Sequence, residues 1–304
     1  LGIDFGTSTC VMSVARKGTV EVVLNEQSSR ITPSCISYAS NQRIFGDDAL
    51  AIQIRNNRST VDQMKRFLGR KWADPEFQNE LKSSIPHYLF EVGSTESGDV
   101  SISVPYNDET LVMSPDQVVG ALFGRLKTIA EKFLDGQRVS DCVISVPSFW
   151  CETQRHALLS AANIAGFNVL RLMNETTAVA LNYGLLRPLP KENPINVVFF
   201  DMGHSTTNVG VASFLEGKTS VLGTACNPNL GGRDFTNVLM QLLNTDIQKR
   251  YRLSPLENRK ATLKLRRACE KVKKVLSANS ETTYSIECLM EDTDVTGHVT
   301  REQF

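Results

Sequence analysis

At 304 residues the chain exceeds the size that one hydrophobic core usually organises, so two lobes are expected. Its 33 basic residues balance 33 acidic ones, which excludes the global charge footprint of a nucleic-acid or anionic-membrane binder and leaves any anion to a local site. An apolar content of 41 % with 22 % charged residues excludes a disordered or fibrous chain, and no apolar run reaches membrane-spanning length.

No signal peptide is expected at the start of the chain. The cysteines (Cys10, Cys35, Cys142, Cys151, Cys226, Cys269 and Cys288) are odd in number, scattered, and never spaced Cys-x-x-Cys. Reduced thiols and a cytoplasmic location follow more naturally than a disulfide framework or a zinc site.

In chain order, short alternating runs over 10–15, 20–24 and 34–38 predict a strand meander. Helical periodicity is expected over 46–57 and again over 60–70, the second carrying Lys65 and Arg66. On composition alone those two charges read as solvated. Residues 71–98 are weakly patterned, and 100–104 with 109–113 read as a hairpin. Ser114-Pro115-Asp116-Gln117 is a helix start, and the helix is expected to run to about residue 134. A strand over 139–146, a helix over 154–165 and a buried strand over 169–173 follow. Asn174 is then placed to cap a helix over 175–183. Pro188, Pro190 and Pro194 mark the crossing between lobes. Beyond it come strands, a helix from Gly231-Gly232 to about residue 252, a basic helix over 255–278, and two closing strands.

One element occurs twice. Asp4-Phe5-Gly6-Thr7-Ser8-Thr9 and Asp201-Met202-Gly203-His204-Ser205-Thr206 each follow an apolar run and precede another. A strand ending in a carboxylate, a glycine that lets the chain turn, and small residues after it suit a phosphate chain approached closely by backbone N–H groups and hydroxyls. The aspartates would repel phosphate directly but can hold a hydrated Mg²⁺. Two such hairpins face to face would grip a nucleoside triphosphate; the alternative is two ordinary hairpins with small residues in their turns.

Other motifs are weaker. Neither a P-loop nor a Gly-x-Gly-x-x-Gly motif is present. The four histidines are too dispersed to ligate a metal, and His204 within the second hairpin is either a phosphate donor or a spacer. Gly231 and Gly232 open a helix whose N-terminal N–H groups could meet phosphate. Glu270, Lys273, Lys274 and Ser277 share one broad helix face, which is either solvated or an adenosine clamp.

Gly2-Ile3-Asp4-Phe5-Gly6-Thr7, Lys65-Arg66-Phe67-Leu68-Gly69-Arg70, Val146-Pro147, Arg171-Leu172-Met173-Asn174-Glu175-Thr176-Thr177-Ala178, Asp201-Met202-Gly203-His204-Ser205 and Leu230-Gly231-Gly232 resemble, in order, the nucleotide-binding domain of the seventy-kilodalton heat-shock chaperones. The resemblance covers essentially the whole chain. Thr176 where ordinary members carry proline, His204-Ser205 in place of glycines, and Leu276-Ser277-Ala278-Asn279 resemble the large, hundred-and-ten-kilodalton branch. Gly6-Thr7-Ser8 and Thr206 keep the ordinary form, and Asn208 stands where ordinary members have a second aspartate.

The resemblance implies an α/β, two-lobed actin-like ATPase fold, a duplicated ribonuclease-H-like motif with a nucleotide cleft between the lobes. Lobe I would be 1–184, with 36–113 as its outer subdomain. Lobe II would be 185–304, cut short, with 227–304 outermost. ATP or ADP with Mg²⁺ would be the ligand. Asp4 and Asp201 would hold the metal through water; Lys65, Glu175 and Asp201 would serve hydrolysis. Gly6, Thr7, Ser8, Gly203, His204, Ser205, Gly231 and Gly232 would line the phosphates, and Glu270, Lys273, Lys274 and Ser277 would hold adenosine. Weak hydrolysis is implied by Asn208. The function implied is that of a stress-response co-chaperone and holdase that promotes nucleotide exchange on a seventy-kilodalton chaperone. Its partner would be met at Ala278 and Asn279, and unfolded polypeptides through a C-terminal part not in this chain. An ordinary chaperone ATPase driving peptide binding is the alternative, and a small-molecule kinase on the same fold is a distant third. Neither nucleic acid nor membrane is an expected partner.

Overall fold

The computed structural model describes residues 1–16, 18–39 and 41–304. The first part runs β1 (Gly2–Phe5), β2 (Thr9–Arg16), β3 (Thr19–Val22), β4 (Ile31–Pro33), β5 (Cys35–Ala39), β6 (Gln42–Phe45), α1 (Gly46–Ile52) and β7 (Thr60–Asp62). Then come α2 (Pro75–Leu81), β8 (Glu91–Ser94), β9 (Val100–Tyr106), β10 (Glu109–Met113), α3 (Pro115–Phe133), β11 (Asp141–Val146), α4 (Glu152–Ile164), β12 (Asn168–Asn174) and α5 (Glu175–Leu185). The remainder is β13 (Ile195–Met202), β14 (Thr207–Leu215), β15 (Lys218–Asn227), α6 (Gly232–Tyr251), α7 (Arg259–Ala278), β16 (Glu281–Met290) and β17 (Thr293–Thr300).

The first lobe is built on a sheet of order β12-β11-β1-β2-β3, with β4 also paired to β2. β1 runs antiparallel to β2 and parallel to β11, with Ile3 opposite Ile144. Along β1 the side chains alternate, so Ile3 and Phe5 are buried while Asp4 points to the open face. The buried face takes α3 and α4: Phe5 meets Phe123 edge-on at 5.0 Å, among Val118, Leu122, Leu126, Leu158 and Ala161. A side chain at Gly120 would meet Ile164 and the Ala161 carbonyl, so this glycine lets the two helices close up. The small outer sheets β6-β5-β7 and β10-β9-β8 share this same core.

The second lobe repeats the opening hairpin as β13-β14-β15. Its small cluster is Ala180, Ala212 and Phe214, with Tyr183 and Phe199 alongside, so α5 packs on the second sheet. Outermost, α6, α7 and the β16–β17 hairpin bury Leu239, Met240, Leu243, Leu265, Cys269 and Val295 together.

Several expectations need correction. Residues 60–70 do not form a helix: β7 pairs with β5, Gln63 is left-handed at φ 51°, and Met64–Phe67 is a single 3-10 turn. Met64, Phe67 and Leu68 are all buried, and spacings of three and four are met by one tight turn as well as by a helix. The weakly patterned stretch holds α2, whose Asp74 accepts from Glu76 N–H at 3.0 Å with proline just inside, and also β8. Strand β12 is not buried; it is the edge of its sheet, and Leu170 is 64 % exposed. Helix 46–57 ends at Ile52, and the basic helix begins at Arg259, capped by Asn258 Oδ1 on the Lys260 N–H at 2.9 Å. Asn174 stands at the N-cap position of α5, but its Oδ1 accepts from Arg155 at 3.0 Å.

Among the described residues no helix is long and apolar enough to cross a membrane.

Candidate functional site in the interlobe cleft

The two repeated hairpins have the same local geometry. Gly6 N–H donates to Thr9 O at 3.0 Å, and Gly203 N–H donates to Thr206 O at 2.8 Å. The strand register matches too: Asp4 lies opposite Val11 and Asp201 opposite Asn208. Only the first tip is tight enough to demand glycine for space, since a Cβ at Gly6 would lie 2.3 Å from Thr9 O but one at Gly203 3.5 Å from Thr206 O. The tips meet across the cleft, where Thr7 Oγ1 and Ser205 Oγ are 3.0 Å apart and buried. Ser34 braces the first tip by donating its hydroxyl to Gly6 O at 2.9 Å and its N–H to Ser8 O at 2.8 Å, while Ser8 itself is exposed.

Beneath the tips lies a charged floor. Lys65 Nζ sits 2.7 Å from Glu175 Oε1, in a pair with 7 % and 14 % of the side chains exposed. The ammonium also lies 5.5 Å from the Trp150 ring centroid and 5.8 Å from that of Phe5, a cation–π setting. Asn208 Nδ2 donates to Glu175 Oε2 at 3.0 Å, so both carboxylate oxygens are engaged. The Asn208 side chain is 1 % exposed, and its Oδ1 is a buried acceptor without a hydrogen-bond partner. Asp4 Oδ1 accepts from Ser145 Oγ at 2.6 Å. Asp201 is held above the usual carboxylate range by burial and then by the charge of Asp4, with Lys65 opposing. A carboxylate raised in part by a second carboxylate suits a divalent cation, which would relieve the repulsion.

The start of α6 differs from the expectation of free amide donors. Gly232 N–H donates to Gly203 O and Arg233 N–H to His204 O, both at 2.8 Å, while Gly231 N–H donates to Asp234 Oδ2 at 2.7 Å. Gly231 serves close packing instead: a Cβ there would lie 2.5 Å from Ser205 N. His204 is held down at about 4 by burial and then by the charge of Arg233, which keeps the imidazole neutral.

The four α7 residues divide into two pairs. Lys273 Nζ donates to Gly232 O at 2.8 Å, to Thr236 Oγ1 at 2.7 Å and to Glu270 Oε1 at 3.0 Å. Burial raises the Glu270 carboxyl, but hydrogen bonds from Thr236 and Lys273 outweigh it and hold the group low. Lys274 and Ser277 are exposed, and Ser277 Oγ returns to Lys273 O at 3.1 Å. Ala278 and Asn279 are exposed at the end of α7, where Arg301 donates to the Leu276 and Asn279 carbonyls, both at 2.8 Å.

The cleft thus brings together Asp4, Gly6, Thr7, Ser8, Lys65, Glu175, Asp201, Gly203, His204, Ser205, Gly231 and Gly232, with Glu270 and Lys273 tied in through α6. Sequence reasoning missed Ser145, Trp150, Thr236 and Arg233. Ser145 becomes visible only through the parallel pairing of β11 with β1, and Trp150 carries no local motif. Thr236 lies one turn after Gly232, a weak signal.

The family model described as "Hsp70 protein" matches residues 1–304. Heat shock protein 88 of Dictyostelium discoideum is 44 % identical over 304 residues, covering 100 % of this chain and 39 % of that protein. Heat shock 70 kDa protein 16 of Arabidopsis thaliana is 42 % identical, again over 100 % of this chain and 39 % of its own length. Heat shock 70 kDa protein 4L of Homo sapiens is 42 % identical over 100 % of this chain and 36 % of its own. The chain therefore spans well under half the length of these relatives.

Proposed function

The chain belongs to the Hsp70 protein family, and on that premise we propose that it is the ATP-binding domain of a co-chaperone that releases ADP from a seventy-kilodalton heat-shock chaperone. The coarser assignment, a heat-shock chaperone nucleotide-binding domain with the two-lobed actin-like fold, is the family's. Nucleotide binding by this chain is supported by the matched hairpins whose tips meet at Thr7 and Ser205. Asp4 and Asp201 would hold a hydrated Mg²⁺, which supplies charge neutralisation to the phosphates. The Thr7 and Ser205 hydroxyls and the Ser8 backbone would face the phosphate chain. The neutral His204 would shape the second tip. Glu270 and Lys273, with Lys274 and Ser277 farther out, would hold adenosine. The free cysteines suit a cytoplasmic protein.

The observation that favours exchange over hydrolysis is the locked state of Glu175. Hydrolysis by positioning needs a group that can turn toward the attacking water. Here one Glu175 oxygen takes Lys65 and the other takes the Asn208 amide. The protein would bind ATP, close its lobes, and present the surface at Ala278 and Asn279 to the partner chaperone, with slow turnover. Unfolded polypeptides would be met by a further part of the protein.

The second reading, an ATPase that drives peptide binding, is favoured by Gly6-Thr7-Ser8 and Thr206, which keep the form of the ordinary chaperones. Single-turnover ATP hydrolysis by the full-length protein, measured beside ADP release from a seventy-kilodalton chaperone, separates the two. Accelerated ADP release with hydrolysis too slow to matter supports exchange; the reverse supports the ATPase.

A further inference from the structure

Two lysines of the cleft spend their protons differently. An ammonium has three N–H groups to donate. Lys273 gives all of them to protein acceptors, at Gly232 O, Thr236 Oγ1 and Glu270 Oε1. Lys65 is more deeply buried, yet among the described residues Glu175 Oε1 is its one hydrogen-bond acceptor. Its other close neighbours are two aromatic rings, with Nζ 5.5 Å from the Trp150 centroid and 5.8 Å from that of Phe5. A ring face draws a cation through its quadrupole but is a poor hydrogen-bond acceptor. It therefore offsets the burial of the charge while leaving two N–H groups for a better acceptor.

The two rings are not equivalent. Phe5 belongs to the core of the first lobe, where it also meets Phe123. Tryptophan is the strongest cation binder of the aromatic side chains. Trp150 stands in the turn between β11 and α4, and its backbone is held on both sides. Its N–H donates to Pro147 O at 3.3 Å, and its carbonyl accepts from Arg155 Nε at 3.0 Å. The residue is buried, so the indole is a fixed wall beside the ammonium.

We propose that Trp150 is a positioning residue: its indole face holds the Lys65 ammonium so that the two N–H groups not given to Glu175 meet the terminal phosphate of ATP. This rests on the reading of the cleft as a Mg-ATP site. In hydrolysis, water attacks the terminal phosphorus and the bond to the bridging oxygen breaks, giving ADP, inorganic phosphate and a proton. Charge spread over the transferred phosphoryl oxygens is then met by a cation already in place. The ring acts through Lys65, so it is felt in the rate and little in the affinity. A tryptophan that only filled the core would act through its volume alone.

The test uses the full-length protein with fluorinated tryptophans inserted at position 150 alone. Fluorine drains the ring face of negative charge and scarcely changes its shape. In single-turnover ATP hydrolysis the rate falls with each added fluorine, by about twofold to thirtyfold in all, while ATP affinity stays within about twofold. Trp150→Phe, a weaker ring, falls between the wild type and Trp150→Leu. A rate unmoved across the fluorinated series, or rate and affinity falling together, overturns the proposal. Mg-ATP bound with no measurable turnover in the wild type overturns it too.

A second measurement needs neither nucleotide nor turnover. In urea, fluorination lowers the folded-to-unfolded ratio by about twofold to thirtyfold when Lys65 is present, and leaves it unchanged in Lys65→Met, which keeps a stem without the charge. An equal loss in both backgrounds makes Trp150 a core filler and overturns the proposal. A wild-type protein that binds no nucleotide refutes the reading of the cleft instead, and the urea comparison then decides whether the ring holds the ammonium.

Discussion

Thr7 Oγ1 and Ser205 Oγ are 3.0 Å apart although 198 positions separate them in the chain. Each hydroxyl has one proton to give and can accept from others. In the pair one proton is spent on the neighbouring oxygen, and the other remains to be donated to a phosphate. Two glycine turns with the same internal hydrogen bond thus converge on one donor point.

Because Asp4 and Asp201 face the same opening, losing either charge removes half of the expected Mg²⁺ anchor. Asp4→Asn and Asp201→Asn each weaken Mg-ATP affinity by about 1–3 kcal/mol, the range for a hydrogen-bonded charged contact. Titration calorimetry with and without Mg²⁺ checks this. Metal-dependent affinity that is unchanged in both variants contradicts the two-hairpin reading.

The Lys65–Glu175 pair is buried enough for a broken half to be costly. Lys65→Ala lowers folding stability by about 3 kcal/mol, since it strands a buried carboxylate. Adding Glu175→Ala recovers part of the loss, because the double variant carries no orphaned charge. Urea denaturation of the two single variants and the double variant measures the coupling. Strict additivity would mean that the pair is not coupled.

Asn208→Asp sets a second carboxylate against Glu175 Oε2. Glu175 is then pushed from its resting place, turnover rises, and nucleotide affinity does not tighten, as expected for a change felt in the transition state. In metal-free buffer the same like-charge contact lowers the melting temperature. Turnover that stays at the wild-type rate argues that Glu175 is not the restraint.

His204 and His87 are both held down at about 4, in each case by burial first and by Arg233 second. Above pH 6.5 both are neutral whether the chain is folded or not, so they add no pH dependence there. Between pH 6.5 and 4 the unfolded chain takes up protons that the folded chain refuses, and stability falls as pH falls. Each contributes on the order of 1–2 kcal/mol of that loss by pH 5. His204→Asn flattens the curve between pH 6.5 and 4, and adding His87→Gln flattens it further. An acid limb unchanged in the double variant places the loss elsewhere.

Ala278 and Asn279 lie outside the cleft, so replacing both with larger charged residues should leave Mg-ATP binding intact. In the co-chaperone reading the same change abolishes accelerated ADP release from the partner, because docking is coupled to ATP only through the docking-competent state. Stopped-flow ADP release from the partner is the readout. Undiminished acceleration moves the docking surface to another face.

What the sequence made legible was whatever depends on local repetition. The doubled Asp-x-Gly hairpin is visible because both copies need the same residue types in the same order. Helix α3 was announced by Ser114, Pro115 and Gln117, with Gln117 Oε1 taking the Ser114 N–H at 3.0 Å. The stretch from Thr60 to Arg70 reads as a helix yet folds as a strand and one 3-10 turn, because helical spacing of Met64, Phe67 and Leu68 does not say how many turns follow. Whatever depends on residues distant in sequence stayed hidden. Nothing local to Ile85 says that its neighbours belong to the other lobe, and nothing local to Asn208 says that it faces Glu175.

Helix α6 begins pinned to the second hairpin tip by two backbone hydrogen bonds and a glycine contact. Its 20 residues form a stiff rod about 30 Å long, and a tilt of about 5° at its root moves the far end by roughly 2.5 Å. At that far end Arg250 and Tyr251 hold Thr296 of β17, so the motion carries the outer hairpin with it. A shift at Ser205 too small to displace a single side chain is thereby magnified at the rim of the molecule, as by a lever.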